Sequence, residues 1–114
     1  MKLDILEIRL MLERDLERKC VGYANSLDWY SIKNDPTNNR GVPDRLFIKH
    51  GKCIFVEFKS KNGKLSKVQE AYIKMLDQNI IAPTFVINDF YKFKESLHSI
   101  EALFKSFMDK AYEI

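Results

Sequence analysis

The run DRLFIKHGKCIFVEFK, residues 44–59, decides the fold. Asp44–Lys49 and Cys53–Lys59 are short stretches rich in β-branched and aromatic residues, and His50-Gly51-Lys52 between them reads as a tight turn, so the run predicts a β-hairpin. Alternation along its second strand sends Ile54, Val56 and Phe58 to one face and Cys53, Phe55, Glu57 and Lys59 to the other. The hairpin sets the strand that opens with Asp44 beside the strand that carries Glu57.

Outward from the hairpin, the rest of the chain falls into order. Residues 3 to about 26 read as one helix, because Ile5, Ile8, Leu12, Leu16, Cys20, Tyr23 and Leu27 recur at spacings of three and four. DWYSIK, residues 28–33, has strand character, and the loop NDPTNNRGVP that follows is the clearest break in the chain. After the hairpin, SKNGKL leads to Ser66, an N-cap with Gln69 in capping-box position, and to a helix through Val68, Tyr72, Met75 and Leu76. Pro83–Ile87 reads as a further strand ended by Asn88-Asp89. From Phe90 onward, Leu97, Ile100, Phe104, Phe107 and Ala111 sit at helical spacing, with His98 a surface or boundary residue. The order is helix, three strands, helix, strand, helix, which makes the class α/β. Repeats and low-complexity tracts are absent.

Composition bounds what such a chain can be. Its 114 residues, 46% hydrophobic and 31% charged, suit a single globular domain over 1–114. No apolar run approaches the roughly 20 residues that cross a bilayer, and MKLDILEIRL carries acids where a signal peptide needs an apolar core, so the expected location is the cytoplasm. Cys20 and Cys53, without a CxxC motif and with two histidines in the chain, offer no basis for a zinc site or disulfide framework and read as small apolar fillers. Net charge is only +3, but Lys33–Lys67 holds nine basic residues against three acids, a local net of +6 that leaves −3 for the remainder. A basic centre with acidic flanks fits a polyanion-facing surface; a lysine-rich solvated edge has the same signature.

The chemistry concentrates on the hairpin. Glu57 and Lys59 are same-face neighbours, and as an isolated pair they read as a solvent-facing salt bridge, since E-x-K recurs by chance in many proteins. Asp44 changes that reading. Two carboxylates at one end of a hairpin repel unless a cation lies between them, and an all-oxygen set favours magnesium or manganese over zinc. A divalent ion there polarises a phosphodiester and activates water, while the Lys59 ammonium neutralises charge growing on phosphorus. Gly41 and Pro43 form a tight turn before Asp44 that would let a substrate backbone approach; an ordinary loop-to-strand turn needs the same residues.

Pro43-Asp44 followed after 13 residues by Glu57-Phe-Lys59 resembles the PD-(D/E)XK nuclease superfamily. Within it, Arg40-Gly-Val-Pro-Asp44, Val56-Glu-Phe-Lys59, Gly63-Lys-Leu-Ser66 and Gln69 are similar to the VRR-NUC family, over residues 8 to about 88. The resemblance implies a small mixed β-sheet flanked by helices, the restriction-endonuclease-like core, and metal-dependent cleavage of duplex or branched DNA with Mg2+ or Mn2+ as cofactor. Small stand-alone members occur in phages and bacteria, and some are similar to dimeric Holliday junction resolvases.

The family also uses a glutamate on its first helix. At about 100° per residue, Glu13 falls near the middle of the apolar stripe, Glu17 at its margin and Asp15 outside it, so Glu13 is the expected third metal ligand beside Asp44 and Glu57; pairing with Arg9 is the structural alternative. Gln69 either caps its own helix or reaches the catalytic lysine or water, and the resemblance implies the second. Arg40, Lys61 and Lys64 are expected to contact DNA phosphates. Trp29 and Tyr30 are assigned to the core rather than to base stacking.

The resulting expectation is an Mg2+/Mn2+-dependent endodeoxyribonuclease with Glu13, Asp44, Glu57, Lys59 and Gln69 in its site. The alternative is a catalytically inactive nucleic-acid-binding module of the same fold; a third reading is a small interaction protein without DNA affinity. A homodimer is expected, held by Phe90, Tyr91, Phe93, Leu103, Phe104, Phe107, Met108 and Tyr112, which exceed what one helical face buries in so small a core.

Overall fold

The computed structural model describes residues 2–35, 41–78 and 82–111. Its elements follow the predicted order: α1 (Ile5–Ser26), β1 (Tyr30–Lys33), β2 (Arg45–Lys49), β3 (Lys52–Phe58), α2 (Lys67–Gln78), β4 (Thr84–Ile87) and α3 (Phe90–Ala111). The strands form one sheet in the order β1-β2-β3-β4. The first three are antiparallel neighbours, and β4 lies parallel to β3. A parallel neighbour needs a crossover, which α2 supplies.

The turn at His50 and Gly51 has positive φ at both central residues, 45° and 82°, as a two-residue hairpin of the right twist requires. That turn fixes the register. Arg45 faces Val56 and Phe47 faces Ile54, so Phe47, Ile54, Val56 and Phe58 share the sheet face that receives α1 and α3. With Cys20, Ala24, Trp29, Ile87, Phe93 and Leu97 they form the buried core, in which the Phe93 ring lies 5.2 Å from Phe47 and 6.3 Å from Phe58. Burial pushes the Cys20 thiol up to about 12, which keeps it an inert filler as expected.

Two expectations fail at the edges of this core. Tyr30 is 67% exposed, whereas Trp29 is buried and donates its indole N–H to Glu101. Ile5, Ile8 and Leu12 stand exposed, so the apolar stripe of α1 is covered only from Leu16 onward. Periodicity names a face without saying how far a neighbour extends along it. A 22-residue helix is about 33 Å long, while strands of four to seven residues span roughly 13–23 Å. The molecule is accordingly elongated, 64 × 29 × 22 Å, with a radius of gyration of 15.5 Å against about 13 Å for a compact chain of this length.

The approach to β2 is built with care. Asn34 donates its side-chain N–H to the Pro43 carbonyl at 2.6 Å and its backbone N–H to the Asp44 carbonyl at 2.9 Å, which continues the β1–β2 ladder by one residue. Gly41 has φ +84°, and a Cβ there would lie 2.7 Å from the Val68 carbonyl oxygen. The close approach that this glycine allows is thus to the start of α2. Gly41→Ala should cost roughly 2 kcal/mol, from the left-handed backbone plus the clash, read as a fall in melting temperature of several degrees; an unchanged melting curve would show that the turn relaxes freely.

Candidate active site

The ladder that pairs Arg45 with Val56 puts Asp44 level with Glu57 at the end of the hairpin. Asp44 does not continue the strand. Its Oδ2 accepts the Phe58 backbone N–H at 2.8 Å, which ties the carboxylate across to β3. Glu57 is only 2% exposed although it lies on the sheet face opposite Val56 and Phe58. It is therefore no solvent-facing partner for Lys59.

The surroundings of Glu57 are specific. Its Oε2 accepts a hydrogen bond from Gln69 Nε2 at 2.9 Å, and Lys59 Nζ stands 3.6 Å from the same oxygen. Its Oε1 is buried and has no hydrogen-bond partner among the described residues. Burial and then the nearby Asp44 push the Glu57 carboxyl up to about 7, with Lys59 pulling the other way. Asp44 is raised as well, chiefly by burial, with Glu17 and Glu13 adding repulsion against the Phe58 amide and Lys59. Two raised carboxyls side by side mark a place where negative charge is held at a cost.

Gln69 caps its own helix and also reaches the site, though not at the lysine expected. Its Oε1 accepts the Ser66 N–H at 2.9 Å while Ser66 Oγ accepts the Gln69 N–H at 3.1 Å, the reciprocal capping box. The remaining amide nitrogen is thereby aimed at Glu57, and its partner is that carboxylate rather than Lys59. The start of α2 is the part of the helix that Gly41 lets approach, so cap and site share one contact.

Glu13 comes to the same end of the sheet from α1. Its Oε1 accepts the Ser60 backbone N–H at 3.1 Å, and among the described residues no ion pair joins it to Arg9. It lies near enough to affect Asp44 electrostatically. Among the described residues, however, no three Asp, Glu, His or Cys side chains converge tightly enough to hold a metal ion. The pair formed by Asp44 and Glu57, with its unpartnered buried oxygen, suits a hard divalent cation by donor chemistry; Glu13 stands beside that pair, turned to Ser60.

Of the expected phosphate contacts, Lys64 is exposed, and Lys61, also exposed, lines an open cleft with Asn88, Asp89 and Lys92. Arg40 lies outside the described residues. Sequence reasoning missed Glu17 and Arg45, which form an ion pair at 2.6 Å with both side chains largely buried. The signal was present: alternation through Phe47 puts Arg45 on the core face, and a buried arginine needs a carboxylate.

No protein-family model matches the sequence, and no curated protein matches it. Among solved structures, a chain described as a VRR_NUC domain superposes with a TM-score of 0.68 at 21% identity, covering 76% of this chain and 95% of that one. The likeness establishes the fold: a mixed four-stranded sheet with flanking helices, arranged as in a VRR_NUC domain.

The raised Glu57 has a stability consequence. Between about pH 4.5 and 7 the folded state holds a proton that the unfolded chain has released, so metal-free stability falls as pH rises through that window and levels above it. The loss is on the order of 2–3 kcal/mol. Denaturant unfolding in EDTA at pH 5 and pH 8 should show it for the wild type and not for Glu57→Gln; equal pH dependence in the two proteins would mean that Glu57 is not held against its charge.

Proposed function

We propose that this chain is a VRR-NUC-type nuclease, a divalent-metal-dependent endonuclease that hydrolyses phosphodiester bonds in duplex or branched DNA. One observation carries the reading: Glu57, almost wholly buried, keeps an unpartnered oxygen next to Asp44 with Lys59 at 3.6 Å. A carboxylate pair maintained in this way costs stability that an ordinary salt bridge would not, and the Lys59 ammonium, its side chain largely buried, is held beside that charge. The nuclease resemblance of Pro43-Asp44 and Glu57-Phe-Lys59 supports the same reading.

Asp44 and Glu57 would hold a magnesium or manganese ion, with Glu13 supporting the pair from α1. When bound, the ion supplies Lewis-acid activation of the phosphate and of the attacking water. The protein's own groups do the rest. Lys59 places its positive charge where negative charge grows as the phosphorus becomes five-coordinate. Gln69 fixes the Glu57 carboxylate through its amide nitrogen, and the Phe58 amide fixes Asp44, so both acids are oriented before substrate arrives. Lys61 and Lys64, with Arg40, are the proposed phosphate contacts on the loop side. The alternative, a binding module of this fold without cleavage, is disfavoured by the complete Asp, Glu and Lys set.

Asp44→Ala, Glu57→Ala and Lys59→Ala should each lower kcat/KM for DNA cleavage by roughly 10²–10³-fold or more while circular dichroism stays unchanged. EDTA should silence the wild type and Mg2+ or Mn2+ restore it. Survival of cleavage in two of the three variants would displace the site.

The homodimer belongs to this proposal, with its surface revised. Phe93 is fully buried and Phe90 packs against the core, so neither is free for a partner, and Tyr112 lies outside the described residues. Tyr91, Leu103 and Phe107 remain exposed, joined by Leu3, Ile5, Leu6, Ile8, Leu10, Met11 and Leu12. A helical segment that exposes this many large apolar side chains is one that is normally covered. None of the described helices is long and apolar enough to cross a membrane, and a second copy is the proposed cover. Sedimentation at micromolar concentration should give a dimer mass that Ile8→Glu and Phe107→Glu each reduce towards monomer; a monomeric wild type with full activity on a four-way junction would end the dimer proposal.

A further inference from the structure

Outside the site, opposite charges are out of balance in one cleft. It measures about 320 Å³ and opens where α1 passes the edge strands, lined by Arg14, Glu17, Arg18, Val21, Lys33 and Arg45. Four cations thus face one carboxylate, a net of +3. Glu17 is already committed, to Arg45 Nε at 2.6 Å and to Lys33 Nζ at 3.5 Å. Arg45 is fixed further by donating from Nη1 to Ser31 Oγ at 3.2 Å. Arg18 meets Asp15 at 3.5 Å, but these side chains are 81% and 67% exposed, a pair that water and salt largely neutralise. Among the described residues Arg14 has no ion-pair partner. A concave surface with surplus positive charge concentrates anions.

The location narrows which anion. Glu13 and Glu17 are one turn apart on α1, about 6 Å along its axis. The first binds the Ser60 amide beside Glu57-Phe-Lys59, and the second binds Arg45, the residue after Asp44. The cleft lies on the Arg45 face of the sheet and Glu57 on the other, but Glu13 and Glu17 both act on Asp44 at the end of the hairpin, so a DNA strand that passes this end reaches both the carboxylate pair and the cleft. The cleft lines up cations and one apolar wall, Val21, a lining that matches the negative charge of a phosphate.

We infer that the cleft binds a non-scissile phosphate of the DNA strand whose neighbouring phosphate is cut, with Arg14, Arg18 and Lys33 meeting the phosphate oxygens. This rests on the nuclease reading above. Glu17 and Arg45 act as positioning residues that hold α1 against β2, and so fix the separation between cleft and site. The contact sets register along the strand and adds to ground-state and transition-state binding alike.

The test compares wild type, Arg14→Ala/Arg18→Ala and the charge-matched control Lys105→Ala/Lys110→Ala, all exposed positions. Binding of a short duplex is followed by fluorescence anisotropy in EDTA across a salt series, and cleavage is measured with Mg2+. The cleft variant should bind about tenfold more weakly, with the slope of log K on log salt reduced by about 1. Its KM should rise about tenfold with kcat within about twofold of wild type, and the control should match wild type. Duplexes with and without a 5′-phosphate distinguish the source: equal losses on both assign an internal phosphate, and a loss confined to the phosphorylated duplex assigns the strand end. Cleft variant and control behaving alike, with wild-type cleavage intact, would overturn the cleft and leave the nuclease reading standing. A wild type that neither binds nor cuts DNA would overturn both.

Discussion

The antiparallel pairing of β2 with β3 brings Asp44 level with Glu57, and every element around them either holds the two carboxylates in place or shields them from water. Like charges at close range are disfavoured, the more so where one is 2% exposed. The fold meets this repulsion with directed donors: the Phe58 amide on Asp44, Gln69 and Lys59 on Glu57. The cap that starts α2 also supplies the Gln69 donor, and Gly41 exists in its left-handed turn so that α2 can come that close.

Much of this was legible in the sequence, for a physical reason. Strand alternation is strict, so Ile54, Val56 and Phe58 announce their face, and Glu57 and Lys59 necessarily take the other. The sequence marks His50-Gly51-Lys52 as the turn; in the structure it is the shorter His50-Gly51, and that turn sets the register that aligns Asp44 with Glu57. Ser66 and Gln69 were readable because a capping box is local. That Gln69 has an amide to spare was not readable, since the carboxylate it reaches lies 12 residues back and arrives by the tertiary fold.

What escaped the sequence is of one kind. The periodicity of α1 marks Ile5, Ile8 and Leu12 as apolar, and they are, but only the folded sheet shows that no described element extends far enough to cover them. The same limit applied to Tyr30, a strand residue on an edge, and to Phe93, counted as surplus aromatic surface although the core encloses it. Glu17 looked marginal on the helical wheel because its partner, Arg45, comes from another element. Reach across elements, rather than local pattern, separates the residues read correctly from the residues missed.

Asp44 and Glu57 are proposed to form a cation site. Anomalous diffraction from crystals grown with Mn2+ tests it most directly. The account predicts a manganese peak between the Asp44 and Glu57 carboxylates that disappears in Glu57→Gln. Manganese bound elsewhere, or a peak that survives that substitution, would contradict it.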